Sequence, residues 1–542
     1  MKNKLLLCLA LYCLIFPVHA QNEDWQGNWM DEELNSRPAP MVTDMNGNPM
    51  WEDEGEVIDL DNKPHVIRNV SSLIEAAAAF KDGENLPYYM SANQHGVFDP
   101  RYGQGYLRGR VTYSSSYKKL HTDVTVDAIV YGDKPYAYYG NQIHLQQAYA
   151  KFSAGTFGIT FGCKEEEGQF VDPKLSSGNM VFSGNARPNP GIRIAMDDYV
   201  PMVFTDNFFE GKFGMTWNRN TDGRFNRDFY DKYEQNYGIF DPDGNLTGFK
   251  DARQHAKVEN AWMHHKFLFI RTSSKHHFFL TAGIEHATMY GGKVNGKKNM
   301  QGGGWLKAAM GGKGHVEQGF YGYNHLMSYD FRMDLNFEKF KMGVYKQHYT
   351  DDMEGGLFDS GMDGLWGVEI KLPSFDWFNH IVIEMLSTTN QNGVVYANDK
   401  YYCDVETYKE QMFKEAGNSN FYHDEAYGSW TNYGMGIGNP LLTSPIYNRD
   451  FYPDYQSNMV RAYHVGISGY FFHKVGYTIK AQHLETWGSP FAPFLETKRN
   501  YSLHFELDYT HRQFQIIPSV SMDKDELYGD NLSAKLKLRY YL

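Results

Sequence analysis

The sequence has no apolar run of the roughly 20 residues that a transmembrane helix requires. Its longest apolar stretch covers residues 5–18, close to the start of the chain, and is too short to cross a bilayer as a helix. The mean hydropathy of −0.57 is equally low for a helical membrane protein. These absences exclude that class. They do not exclude a β-barrel, whose lumen and loops are polar.

The chain is also short of cations and of catalytic motifs. Lys and Arg number 52 against 65 Asp and Glu, a net charge of −13, which argues against nucleic acid as a partner. No Gly-x-Ser-x-Gly motif surrounds any serine. We therefore predict no catalytic residues, no cofactor and no metal site. A hydrolase whose serine and histidine come from separate strands stays open as an alternative.

Cysteine is scarce, and two of the four cysteines lie within the first 20 residues. Lys2 and Lys4 precede the apolar residues 5–18, and a small-residue cleavage site ends at Ala20. This pattern predicts a signal peptide over residues 1–20 and an exported protein. Of the four cysteines, only Cys163 and Cys403 lie beyond it, and in an oxidising compartment these two could form a disulfide.

The last eleven residues indicate the fold class. One face of a strand over 532–542 is apolar, and the other carries three cations, because successive side chains of a strand alternate between its faces. The apolar set comprises Leu532, Ala534, Leu536, Leu538, Tyr540 and Leu542. A chain that ends within such a strand needs a partner for its last edge, which a closed barrel provides. An apolar exterior around a charged interior suits a barrel in lipid.

The same alternation recurs in further segments of the chain, and these segments are joined alternately by short turns and long polar loops. Aromatic residues form 16% of the sequence, including 40 Tyr, as in the aromatic girdles of membrane barrels. We predict an all-β, antiparallel outer-membrane barrel of about 18 strands over residues 86–542. The predicted strands begin near residues 87, 104, 120, 141, 155, 189, 208, 259, 277, 326, 340, 364, 379, 457, 475, 499, 512 and 532.

Residues 21–85 differ from the rest, since they are acidic, contain several prolines and show little alternation. We predict a periplasmic segment with one helix over 73–80. Ser72 would cap this alanine-rich helix, and Glu75 would complete a capping box.

A basic cluster lies on the inward faces of the first and last strands. Its members are Arg108, Arg110, Lys535, Lys537 and Arg539. One interpretation is a cationic wall that holds an anionic sugar polymer. The alternative, which we favour, is a ladder of ion pairs with inward carboxylates such as Asp127 and Glu506 on neighbouring strands.

Several segments resemble the Wzi capsule-assembly family. They are NARPNPGIRI at 185–194, FLTAGIEH at 279–286 followed by YGG at 290–292, NHLMSYD at 324–330, DGLWGVEI at 363–370 and WTNYGMGIGNPL at 430–441. The resemblance covers roughly residues 85–542. It implies an outer-membrane β-barrel with its loops at the cell surface, which acts as a lectin for capsular polysaccharide without catalysis.

The long loops supply the candidate binding residues. Flat aromatic rings suit the faces of sugars, while amides and cations bind their polar groups. The polysaccharide-binding candidates are Arg187, Trp305, Trp430, Tyr433, Asn439 and Trp487. Residues 438–440 alternatively form a tight turn, with Trp430 as its packing anchor.

The expected function is attachment and assembly of a surface capsule. The expected partners are capsular polysaccharide, outer-membrane lipids and the barrel-assembly machinery. A diffusion channel for oligosaccharides, with the same barrel and a polar lumen, is the alternative function.

Overall fold

A computed structural model describes residues 67–132, 142–250, 255–298, 304–311, 323–351, 361–391, 419–424, 427–490 and 492–542. The predicted signal peptide and the segment 21–66 lie outside these residues, as does Cys403. The predicted disulfide with Cys163 is therefore untested.

One closed antiparallel sheet of 18 strands dominates the structure. Its strands are β1 Ile67–Asp82, β2 Gly105–Tyr117, β3 Leu120–Tyr131, β4 Ile143–Ala154, β5 Phe157–Cys163, β6 Gly191–Met196 with its continuation Val200–Pro201, β7 Phe209–Arg219, β8 Trp262–Thr272, β9 Phe278–Tyr290, β10 Asn324–Phe337, β11 Phe340–Asp351, β12 Gly364–Lys371, β13 His380–Ser387, β14 Val460–Phe471, β15 Val475–Ser489, β16 Ala492–His511, β17 Phe514–Asp525 and β18 Asn531–Tyr541. The prediction of an antiparallel barrel of about 18 strands is confirmed.

Strand β1 closes the barrel. It pairs with β2 on one side and with β18 on the other, and it places Glu75 opposite both Arg108 and Arg539. The barrel therefore includes residues 67–82, ahead of the predicted start at 86. The strand predicted near 87 is wrong, since a loop occupies that position. The predicted helix over 73–80 is also wrong. Pairing with two neighbouring strands outweighs the intrinsic preference of alanine for a helix, which is less than about 1 kcal/mol per residue.

The side chains have the predicted inside-out distribution. On β18, Leu532, Leu536 and Leu538 are 42–50% exposed on the outer face, whereas Lys535 is buried on the inner one. Phe331 and Leu503 on other strands also face outward. Such a continuous apolar exterior is unfavourable in water and favourable against acyl chains.

The connections at the two ends of the barrel differ in length. Short turns such as 118–119, 338–339 and 512–513 join strands at the end where β1 begins, which we call the short-turn end. Loops 83–104, 164–190, 220–261 and 388–459 lie at the opposite, long-loop end.

Small elements occur in the connections. The helices are α1 Tyr88–Ser91, α2 Gly223–Tyr237 and α3 Gly304–Ala309, with single 3₁₀ turns at Val203–Thr205 and Pro445–Tyr447. The short strands are Gly238–Phe240, Leu246–Phe249, Val258–Glu259, Lys293–Val294, Lys297–Lys298, His423–Asp424, Gly428–Ser429, Thr431–Asn432 and Met435–Gly436. Among the described residues, no helix is both long and apolar enough to cross a membrane.

Candidate functional site

Loop 164–190 crosses the interior of the barrel. It leaves β5 and returns to β6, yet Ser176 Oγ donates a hydrogen bond of 2.6 Å to Glu384 on β13. The backbone N of Met180 bonds Gln347 on β11 at 3.2 Å, and His464 Nε2 on β14 donates to the carbonyl of Leu175 at 2.7 Å. The loop is thus anchored to strands on the other side of the lumen.

An apolar cluster packs inside the barrel around this loop. Val181 of loop 164–190 and Trp430 of loop 388–459 are both 0% exposed, as are the inward side chains of Phe269 and Leu386 on the wall. The buried contacts hold two long loops against each other and against the strands. The packed cluster obstructs the lumen where loop 164–190 crosses it.

Two predicted binding residues belong to this packed interior. Trp430 donates its indole N–H to the carbonyl of Val181 at 3.0 Å. Asn439 is 1% exposed, and its amide donates to Ser177 Oγ at 3.2 Å and to the carbonyl of Gly178 at 2.5 Å. Their burial favours the packing interpretation over direct contact with a sugar.

Arg187 and Tyr433 lie together nearer the loop surface. The Arg187 guanidinium is 5.5 Å from the centre of the Tyr433 ring, and it donates to the carbonyl of Leu145 at 2.6 Å. The Tyr433 hydroxyl donates to the carbonyl of Thr221 at 2.8 Å. These contacts orient both side chains within the loop layer.

The remaining two aromatic candidates lie on separate elements. Trp305 is on α3 and is 49% exposed. Trp487 is on β15, where the Arg461 guanidinium lies 5.6 Å from its ring. The structure thus brings Arg187 and Tyr433 together but does not gather all six candidates into one site.

Members of the basic cluster lie close to carboxylates inside the barrel. Arg108 contacts Asp127 at 2.6 Å and Glu165 at 2.9 Å, while Lys535 lies 3.9 Å from Glu506. Arg110 lies opposite Asp127 in the strand register. These contacts favour the ion-pair ladder over a free cationic wall.

Glu75 completes the ladder, although the sequence pattern predicted a helix at this residue. Its Oε2 accepts a 2.5 Å hydrogen bond from Arg539 Nε, and its Oε1 accepts one of 2.6 Å from the Tyr106 hydroxyl. Lys537 on β18 donates to the Gln94 side chain at 3.0 Å. The closing strand therefore supplies the carboxylate that matches the cations on both sides.

A cationic cleft lies between loop 164–190 and the inner faces of β5, β6 and β7. It includes Lys164, Glu166, Arg187, Asn189, Arg193 and Asn218. Arg193 Nε contacts Glu166 at 3.1 Å, so part of its charge is already balanced.

His95 and Glu165 carry complementary charge beside this cleft. Burial lowers the pKa of His95, but the carboxylates of Glu165 and Glu167 outweigh it and raise that pKa overall. Burial raises the pKa of Glu165, and the neighbouring His95 and Arg108 outweigh it and lower that pKa. Both pKa shifts favour a protonated His95 beside an ionised Glu165.

A second cleft, the tyrosine cleft, opens beside β15, β16, β17 and loops 83–104 and 388–459. Its central residues are Tyr88, Tyr447, Gln482, Asn500, Asp523 and Tyr528, with Lys498 and Arg499 also in its lining. Asp523 Oδ2 accepts a hydrogen bond of 2.7 Å from the backbone N of Tyr88. The rings of Tyr447 and Tyr528 are 5.7 Å apart, centre to centre.

Polar atoms in the tyrosine cleft are incompletely paired. Within the part of the chain that the structure describes, Tyr88 Oη, Gln482 Oε1 and Asp523 Oδ1 have no hydrogen-bond partner. A buried polar atom without a partner is costly, so such atoms favour a ligand that supplies hydrogen bonds.

The strand register brings these residues together. Gln482 lies opposite Ser502, and Ser502 lies opposite Asp523, all on inward faces near the long-loop end. The inward periodicity of β15–β17 is the sequence signal for these residues, whereas the predicted binding residues lie mainly in the loops.

These features define an outer-membrane-type barrel of 18 strands whose own loops obstruct its interior. The fold is similar to that of Wzi from Escherichia coli, described as an outer-membrane protein involved in group 1 capsule assembly and a carbohydrate-binding β-barrel. The TM-score is 0.54 at 11% identity, over 86% of this chain and 83% of that one. OccK5 of Pseudomonas aeruginosa is a more distant match, with a TM-score of 0.42 at 9% identity over 88% of this chain and 98% of that one. No protein-family model and no curated protein matches the sequence.

Proposed function

We propose that this chain is an outer-membrane surface lectin that binds capsular polysaccharide and supports capsule assembly and attachment. The observation that carries the proposal is the tyrosine cleft at the long-loop end of an obstructed barrel. The similar fold of Wzi, a carbohydrate-binding β-barrel, supports it.

The chemistry of the cleft suits a sugar. Tyr447 and Tyr528 offer aromatic surface for the C–H groups of a sugar ring. Gln482 and Asp523 each offer an acceptor oxygen without a partner among the described residues, and sugar hydroxyls are donors that would satisfy them. A mixture of aromatic surface and a few fixed polar groups is the usual composition of a small-molecule site.

The obstructed interior favours a lectin over a diffusion channel. Loop 164–190 is fixed across the lumen by three hydrogen bonds to opposite strands, and its Leu175, Met180 and Val181 are fully buried. A solute would have to displace this packed layer in order to pass.

Binding is tested with the full chain refolded in detergent, on an array of capsular and exopolysaccharide fragments. Asp523→Ala should weaken binding of the recognised glycan by about fivefold or more, since it removes a hydrogen-bond acceptor, and such a bond contributes ~1 kcal/mol. Asp508→Ala is the matched control. Asp508 lies on the neighbouring strand β16, but at the short-turn end, where it accepts a hydrogen bond from Gln515. Equal loss in both variants would show that the cleft is not the site.

Conductance separates the two functions. In a planar bilayer the lectin should conduct little, whereas an oligosaccharide channel should conduct steadily. Steady conductance that sugar blocks would overturn the proposal in favour of the channel.

The cellular role has its own test. Deleting the chain should release polymer into the medium while synthesis continues, because the surface attachment is lost. Unchanged retention of polymer on the cells would contradict a role in attachment.

A further inference from the structure

Three potential metal ligands from two long loops meet at the long-loop end. His255 belongs to loop 220–261, and His423 and Asp454 belong to loop 388–459. Each offers a ligand atom, and these atoms all lie within 4.8 Å of one another. His255 is 6% exposed, and the side chains of His423 and Asp454 are 9% and 1% exposed. The cluster is therefore buried and compact.

Neighbouring groups hold the carboxylate in position. Asp454 Oδ1 accepts hydrogen bonds from Ser429 Oγ at 2.6 Å and from the backbone N of Tyr455 at 2.7 Å. Its other oxygen, Oδ2, contacts His423 Nδ1. Outer-shell hydrogen bonds of this kind orient the ligands of metal sites.

The third ligand, His255, is held by residues of both loops. The Tyr230 hydroxyl on α2 donates to the carbonyl of His255 at 2.9 Å. The rings of Tyr452 and Tyr233 lie 4.9 and 5.3 Å from the imidazole of His255, centre to centre. This shell of aromatic rings limits solvent access, which strengthens the attraction between a cation and the carboxylate.

The donor set identifies the class of metal. Two imidazoles and one carboxylate are borderline ligands that suit Zn²⁺, and three protein ligands leave a fourth position for water. Oxygen-preferring cations such as Ca²⁺ and Mg²⁺ are bound mainly by carboxylates and carbonyls, so this set does not favour them.

A second cluster with suitable spacing, Asp172, Glu369 and His380, is a weaker candidate. Glu369 already contacts Arg332 at 2.6 Å and Lys371 at 2.8 Å. Two cations at the carboxylate neutralise it and would repel a metal ion. This cluster therefore belongs to the ion pairs of the lumen.

We infer that a Zn²⁺ ion binds His255, His423 and Asp454 and joins loop 220–261 to loop 388–459. The ligands lie far apart in the sequence and form no local motif, which is why no metal site was predicted from it. The ion would hold the two loops together at the end of the barrel where the tyrosine cleft opens, whether or not the proposed function is correct.

The test is titration of the metal-free, detergent-folded full chain with zinc chloride, followed by calorimetry and metal analysis. One zinc ion should bind tightly per chain. Asp454→Asn and His423→Gln should each weaken that binding by more than about tenfold, because even an outer-shell partner is commonly worth 10–100-fold. His380→Gln, in the second cluster, is the matched control and should leave it unchanged. Failure of the folded wild-type chain to bind zinc, or loss in His380→Gln alone, would overturn the inference.

Two further measurements apply if the variants of the three ligand residues fail to fold. X-ray absorption of the wild-type chain with one equivalent of zinc should show two imidazole nitrogens and further light-atom ligands. A shell without imidazole would overturn the assignment. Ser429→Ala, which keeps all three ligands, should weaken binding by about tenfold, since it removes the donor to Asp454.

Discussion

Glu75 provides the sharpest test of how the barrel closes. Its side chain is 1% exposed between β2 and β18, and it accepts hydrogen bonds from Arg539 and Tyr106. Glu75→Gln keeps the shape of the side chain and removes its charge. The largely buried Arg539 would then lose its ion pair with the Glu75 carboxylate. Breaking a buried ion pair from one side costs about 3–5 kcal/mol, and we expect about 3 because the Arg539 side chain is 20% exposed.

The alternative helical structure predicts a different result. In a helix capped by Ser72, the third residue can be Glu or Gln with little difference, because both complete a capping box. Glu75→Gln would then change the stability hardly at all. The same substitution therefore separates a closing strand from a capped helix.

Urea unfolding of the chain folded in lipid vesicles measures the effect through tryptophan fluorescence. Glu485→Gln is the control, because its ion pair with Arg499 is 3.3 Å long and the Arg499 side chain is 48% exposed. An exposed pair contributes about 0–1 kcal/mol. If Glu75→Gln costs no more than this control, the closing network does not stabilise the barrel as described.

Three further predictions concern the barrel wall and one loop. Ala76→Cys with Leu538→Cys should form a disulfide on oxidation, seen as a gel-mobility shift, whereas Ala76→Cys with Ala534→Cys should not, because only the first two residues are opposite each other. Leu536→Arg on the outer face should lower the free energy of unfolding in vesicles by about 2–4 kcal/mol, since it places a charge against lipid. Burial raises the pKa of Asp222 to about 6, so the stability that its neutral form contributes is complete below pH ~4 and is lost as the pH rises through 6. Asp222→Asn should therefore slow hydrogen exchange in α2 at pH 8 and have little effect at pH 4.

The strands of the wall were largely predictable because the two faces of a membrane barrel differ so strongly. Predicted starts at 120, 340, 364 and 475 coincide with those of β3, β11, β12 and β15. Lipid selects apolar residues on one face, and the ion pairs of the lumen select charged ones on the other. This contrast gives a period of two that survives without any tertiary information.

Strand β1 was missed because alanine weakens this contrast. Its outward positions include Ala76 and Ala78, and its inward positions include Ala77 and Ala79, so neither face stands out. Ser72 and Glu75 added a convincing helix start. The pairing partners that decide the conformation are about 30 and 460 residues away in the sequence, as the contacts with Tyr106 and Arg539 show.

Loop residues were harder to place, since composition does not say whether an aromatic side chain in a loop points to solvent or to the lumen. Trp430 and Trp305 illustrate the difference, because the first is buried and the second is 49% exposed. The inward fold of loop 164–190 depends on Glu384 and His464, which no local pattern connects with it. The binding residues predicted from the loops therefore include buried packing residues such as Trp430, and they do not include Asp523 on the barrel wall.

The ion pairs of the interior also bear on the proposed recognition of a sugar. Arg108, Lys535 and Arg539 are each close to a carboxylate of a neighbouring strand or loop, so their charges stabilise the barrel. The tyrosine cleft, by contrast, combines aromatic rings with acceptors such as Gln482 and Asp523. On the proposed function, the cleft combines contacts to sugar hydroxyls and ring faces with two cations of its lining, Lys498 and Arg499. Rising salt should weaken the contribution of these two cations and leave the contacts to hydroxyls largely unchanged, because screening acts on exposed charges.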